Sequence, residues 1–166
     1  MSDGKISLEA QAVAYAERGW HVVPLHHVRE DHSCSCGVTP ENDPKHAFGK
    51  HPRLNGWQKG ERPDPTAVQG IWRQWPTANV GLATGEKSGF FVLDVDPDKG
   101  GSASIDALIE KHGPLTDTYT VMTGSGGAHY YFRMPDFPVS NSSGRLPKGL
   151  DVRGSGGQVV APPSTT

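Results

Sequence analysis

Apolar residues recur at helical spacing in three stretches of the chain and gather in seven short runs of strand length. Ser7 is placed to cap a helix through LEAQAVAYAER, which Gly19 closes with a left-handed residue. WHVVPL (20–25) reads as a buried strand. From His26 to about Trp57 the pattern vanishes into polar, Pro, Gly, Cys and His residues. A connection that long in a compact domain is functional or held by a metal. Asp64 and Pro65 then start a second helix, with Val68, Ile71, Trp72 and Trp75 as its buried face and Pro76 as its end. NVGLATG (79–85) and GFFVLDVD (89–96) are strands. Ser102 caps a third helix, with Ile105, Leu108 and Ile109 inward and Gly113 at its close. TYTVMTG (118–124) and AHYYFRM (128–134) flank Ser125, Gly126 and Gly127 as a hairpin, and GLDVR (149–153) and QVVAP (158–162) supply the last two strands. This mixture predicts an α+β fold.

The chain has 166 residues, enough for a single domain with one real core. Its 21 glycines and 14 prolines fit a loop-rich α+β fold better than a helical bundle. A formal net charge of −2 gives no global basic signal for nucleic acid. Charge is nevertheless uneven. Lys45, Lys50, Arg53, Lys59, Arg62 and Arg73 face only Glu61 and Asp64 in that stretch. No apolar run is long enough to span a bilayer, and MSDGKISLEA has no hydrophobic signal region, so the expected location is cytoplasmic with no membrane partner. Cys34 and Cys36 are too close for an easy disulfide, and in a reducing compartment they point to a metal.

The chemistry concentrates on three acids. Asp94 and Asp96 are two apart on a strand, so both carboxylates leave one face and Val95 the other. The apolar run Phe90–Leu93 buries that strand, and paired carboxylates there repel unless a cation joins them. A hard divalent ion held through oxygens, magnesium or manganese, resolves this and implies metal-assisted chemistry on a phosphate. Asp151 shares a strand face with Arg153, and pairing near Asp94 would bring the three carboxylates together. His129 follows the hairpin turn and can donate to a triphosphate oxygen, as can the planar fork of Arg153. The N–H groups of Ser125, Gly126 and Gly127 are expected to form a small anion nest. Each feature alone has an ordinary reading: a solvated strand end, a satisfied histidine, a turn, a surface arginine. Their succession on consecutive strands carries the case.

Taken together, AVAYAERGWHVVPL, GKHPRLNGW (49–57), NVGLATG, VLDVDPDKGG, SGGAHYYF (125–132) and GLDVRGSGGQVVAPPS (149–164) resemble the bifunctional primase/polymerase (prim-pol) domains of the archaeo-eukaryotic primase superfamily, found in phage and plasmid replication proteins. The resemblance covers nearly the whole chain in order. It implies a catalytic module on an RNA-recognition-motif-like mixed or antiparallel sheet with packed helices. It implies divalent-metal binding at Asp94, Asp96 and Asp151 and nucleotide contact by His129, with Lys50 and Arg153 as further triphosphate or template contacts; Ser125 of the turn is expected to contact nucleotide as well. It also implies a single-stranded DNA template, NTP or dNTP substrates and a helicase partner. Since no element follows APPSTT, the chain is expected to be a fragment of a longer replication protein.

The segment at about 29–56 offers Cys34, Cys36, His46 and His51, with His32 as a spare, which is a donor set for structural zinc. His21, His26, His27 and His112 read as ordinary residues. Trp57, after the basic stretch, is the one tryptophan placed to stack a base. The activity expected is template-directed nucleotidyl transfer to a 3′-hydroxyl with release of pyrophosphate. Its main competitor is a non-catalytic single-stranded DNA or origin-binding module. A metal-dependent glycosyltransferase fails to account for SGGAHYYF and DVRG, and a nuclease would reveal itself by cleaving single strands.

Overall fold

The computed structural model describes residues 6–142 and 144–166. In chain order the elements are α1 (Leu8–Glu17), β1 (Val22–Leu25), α2 (Pro65–Gln74), β2 (Asn79–Ala83), β3 (Phe90–Val95), a 3-10 turn (Pro97–Lys99), α3 (Gly101–His112), β4 (Tyr119–Met122), β5 (Ala128–Arg133), β6 (Leu150–Arg153) and β7 (Gln158–Ala161). The fold is thus α+β, with two sheets. Two compact units divide the chain: residues up to Ala83 together with Val159–Thr166, and Thr84–Gln158. Among the described residues no helix is long and apolar enough to cross a membrane.

In the first unit the expected caps form. Ser7 Oγ accepts from the Ala10 N–H at 3.0 Å and Asp64 Oδ1 from the Ala67 N–H at 2.8 Å, each satisfying a donor that the helix leaves open. Helices α1 and α2 pack together and bury Ala12, Tyr15, Ala16, Val68 and Trp72. The predicted face of α2 is narrower than its spacing suggested. Ile71 is only half-buried, and Trp75 leaves the helical path as its C-cap, where the Arg53 guanidinium sits 5.5 Å over its ring. Strand β1 is wholly buried and runs antiparallel to β2, with β7 on the other side of β2. Gly81 is required here, because a Cβ would lie 2.8 Å from the Leu25 side chain.

The second unit is a four-stranded antiparallel sheet in the order β4-β5-β3-β6. With α3 between β3 and β4, this is an RNA-recognition-motif-like arrangement in which irregular chain replaces a second helix before β6. Val95 and Leu150 on one sheet face pack with Ile105 of α3, ringed by Leu93, Leu108, Ile109, Leu115 and Tyr130. Each fully buried aliphatic side chain there stabilises the unit by about 1.5–3 kcal/mol. That packing directs even-numbered β3 residues, Asp94 among them, to the opposite face.

One local expectation fails. Ser102 does not cap α3: it is exposed, and the N-cap is Gly100, left-handed at φ 87° with no side-chain cap. The reason is crowding at the helix start. A Cβ on Gly101 would lie 2.6 Å from the carbonyl oxygens of both Asp96 and Gly149, so only a glycine pair lets the helix begin against the end of β3.

Candidate functional site

Strand register assembles the acidic site. Asp94 of β3 stands directly opposite His129 of β5 on one side and Asp151 of β6 on the other. The three side chains therefore share one face as a cross-strand row, with Asp94 at its centre. Like charges opposite one another destabilise a sheet, and Asp94 and Asp151 are such a pair. The structure places the Arg153 guanidinium between them. Arg153 Nη2 lies 3.7 Å from Asp94 Oδ2 and 3.5 Å from Asp151 Oδ2, and His129 Nε2 lies 3.4 Å from Asp94 Oδ1. The other ring nitrogen of His129, Nδ1, is buried without a partner.

Asp96 lies one residue past β3. Its backbone stays extended, but its carboxylate serves the 3-10 turn: Oδ1 accepts from the Asp98 N–H at 3.2 Å, and Oδ2 pairs with Lys99 Nζ at 2.7 Å. Lys99 is a residue that the sequence reading missed. Its only local signal is a lysine three positions after an aspartate at a strand end. The ammonium is held charged by Asp96 first, and further by Asp151 and Asp94. Carboxylate oxygens on adjacent strands are the kind of donor a hard divalent ion takes, and such an ion would have to compete with the basic side chains now around them.

The hairpin turn does not form the expected anion nest. The Gly126 N–H donates to the Thr123 carbonyl at 3.0 Å and the Gly127 N–H to Thr123 Oγ1 at 3.0 Å, so the turn consumes two of its three donors. Ser125 is exposed, with its hydroxyl 3.2 Å from Thr123 Oγ1. Lys50 is exposed and belongs to the first unit, not to the sheet that gathers the acids.

Burial pushes the Asp94 carboxyl up, but the His129 hydrogen bond and the charges of His129, Arg153 and Lys99 outweigh it and hold the group below the ordinary 3.8. A depressed carboxylate stabilises the fold above its unfolded value, and that stability is lost as pH falls through the folded value. The His129→Gln variant is therefore expected to titrate Asp94 at higher pH and to lose stability earlier on acidification. Carboxyl-carbon NMR of the metal-free protein reads this, and an unchanged Asp94 midpoint would refute the assigned cause.

The first unit holds a second cluster. Cys34, Cys36, His46 and His51 bring one ligand atom each within 4.8 Å of the others, the one such group among the described residues. Cys36 Sγ and His46 Nε2 are 3.3 Å apart, near the spacing of about 3.3–3.8 Å that tetrahedral zinc bond lengths require. Nδ1 of His51 donates to the Ala47 carbonyl at 3.0 Å, which leaves Nε2 as the ligating atom. Burial raises the Cys34 thiol, yet hydrogen bonds from the Cys36 and Gly49 backbones and the His46 and Cys36 side chains bring it down to about 7. A thiol so placed gives up its proton readily to a metal. Soft and borderline donors in this arrangement fit zinc. His32 takes no part: it is exposed at φ 63°.

The unpatterned segment is anchored to β1. The His26 N–H donates to the His51 carbonyl at 2.9 Å, and the Arg53 N–H to the Pro24 carbonyl at 2.9 Å. Arg53 also donates to Ser35 Oγ at 2.9 Å, and His26 Nδ1 lies 2.9 Å from the same hydroxyl. The His26 ring stacks on His51 with centroids 4.4 Å apart. His26 is thus more than an ordinary residue: it supports a candidate ligand. Burial first, then Arg53 and the neighbouring histidines, lower it to about 4, so it stacks there neutral. Trp57 is half-buried and packs against Val23, Leu25 and Ala83.

A family model described as bifunctional DNA primase/polymerase, N-terminal, matches residues 12–166. No curated protein matches the chain.

Proposed function

The chain belongs to the bifunctional DNA primase/polymerase family, and on that basis we propose that it is a template-directed nucleotidyltransferase acting in phage or plasmid DNA replication. In this reading a primer 3′-hydroxyl attacks the α-phosphorus of an NTP or dNTP. The new O–P bond forms as the bond to pyrophosphate breaks, and the hydroxyl proton leaves to solvent. Magnesium or manganese at the carboxylates supplies the lowered pKa of the attacking hydroxyl and the neutralisation of the departing pyrophosphate. Asp94, Asp151 and Asp96 hold the ions. His129 donates to the triphosphate, and Arg153, which lies between two of the acids, turns its fork to phosphate oxygens as they arrive. Ser125 and Lys50 add nucleotide or template contacts. Phosphoryl transfer needs positioning and charge neutralisation rather than a protein nucleophile, so these residues suffice.

The observation that carries this reading is the row His129, Asp94, Asp151 on one sheet face. Zinc at Cys34, Cys36, His46 and His51 has a structural part, fixing the segment that follows β1. A single-stranded DNA template and a helicase domain or protein are the partners.

The test is incorporation of labelled nucleotide on a single-stranded template, with magnesium and then with manganese. Template-dependent products that EDTA abolishes are expected. Binding of template without incorporation would favour a non-catalytic binding module, and shortening of the template would favour a nuclease.

A further inference from the structure

Arg153 and His129 reach the acids at 3.4–3.7 Å, whereas Lys99 reaches Asp96 at 2.7 Å. The tightest ion pair at the site thus falls on a carboxylate that the proposed chemistry assigns to metal. Both Asp96 oxygens are engaged, one by the Asp98 N–H and one by the Lys99 ammonium. The Lys99 side chain is 73% exposed and comes from the last position of a short turn, so it can swing away without disturbing the sheet. Exposed pairs of this kind contribute little to folding, so stability does not explain the contact.

Charge does. A divalent ion approaching Asp96 meets an ammonium already on its oxygen and must displace it against like-charge repulsion. A nucleoside triphosphate offers that ammonium a more negative partner, and lysine pairs with phosphate as a mobile point charge. We propose that Lys99 is the resident counter-ion of Asp96 in the metal-free protein and transfers to the triphosphate of the incoming nucleotide, which couples metal entry to nucleotide entry. This rests on the nucleotidyl-transfer reading of the same site. Lys99 then weakens metal binding to the empty site and strengthens it when nucleotide is present.

Free Mn2+ measured by electron paramagnetic resonance tests this on the wild-type protein, Lys99→Gln, Lys99→Arg and the double variant Asp94→Ala/Asp96→Ala. Without nucleotide, Lys99→Gln is expected to bind Mn2+ about three- to tenfold tighter than wild type, as loss of one nearby positive charge implies. The gain in Mn2+ affinity on adding a non-hydrolysable nucleoside triphosphate should shrink by more than that factor, because the help Lys99 gives in the nucleotide-bound site is lost as well. Lys99→Arg keeps the charge and should resemble wild type. Equal Mn2+ affinity in wild type and Lys99→Gln, with weaker binding by the double aspartate variant, overturns the counter-ion role and leaves the metal site standing. If wild type binds no tighter than the double aspartate variant, the carboxylate site itself fails and the inference goes with it.

Discussion

Replacing Asp94 by alanine is expected to lower nucleotide incorporation by about a thousandfold or more, while circular dichroism and the melting profile stay close to wild type. The size follows from what a bound divalent ion supplies, several kcal/mol of transition-state charge stabilisation at about 1.4 kcal/mol per tenfold in rate. Asp94 is singled out because it is central to the row: it faces Asp151 across one strand pair and His129 across the other, and it shares Arg153 with Asp151. Its removal would strip the candidate ligand that stands between both neighbours. The fold should survive the change, since β3 is anchored by Val92 and Val95 and the loss of the His129 and Arg153 contacts is offset by relief of the repulsion from Asp151. Asp94→Asn, which keeps the shape and removes the charge, should fail equally. Incorporation near wild-type levels in either variant would remove the metal assignment.

The second large effect is expected at Cys34. A Cys34→Ser variant should lose bound metal and melt at least about 6 °C lower, corresponding to roughly 3 kcal/mol for a chain of this size. Cys34 is fully buried, its N–H donates to the Val38 carbonyl at 2.8 Å, and its thiol sits among three other candidate ligands. Without a cation the part of the segment around Cys34 and Cys36 is left to hydrogen bonds, and its polar, glycine-containing sequence offers little apolar surface in exchange. Elemental analysis should find about one zinc per wild-type chain, and a strong chelator should lower the wild-type melting point while leaving the variant unmoved. A chelator-treated wild-type protein that keeps the melting point of the untreated protein would show that the segment is held without a metal.

Most of the elements were legible along the chain because their causes are local. Ser7 and Asp64 cap the helices they were expected to cap, since a cap needs only an oxygen three residues before an open N–H. Every expected strand forms, each shorter than expected by one to three residues, mostly glycine, threonine and other flanking residues rather than the apolar core of the run. The Cys/His cluster was readable for a different reason: two thiols and two imidazoles in a stretch with no core of its own have few other uses.

The failures share an opposite cause. Ser102 lost its cap to a steric condition imposed by Gly149, nearly fifty positions further on, which no window around the helix contains. The anion nest failed because Thr123 takes the turn's N–H groups. Trp75 and Ile71 were expected to be buried on spacing alone, but how far a helix face is covered depends on what packs there. His26 and Arg53 gave no signal, because their importance lies in meeting Ser35 and His51.

By itself the sequence singled out the candidates for the chemistry: the acids, the histidine and arginine on later strands, and the sulfur and nitrogen donors after β1. It could do so because residue type and alternation are written locally. Only the tertiary structure decided that Asp94 stands between His129 and Asp151, and that Asp96 turns away to a lysine. Register between distant strands follows from burying one sheet face against α3, and a slip of one residue would have turned those side chains to the other side.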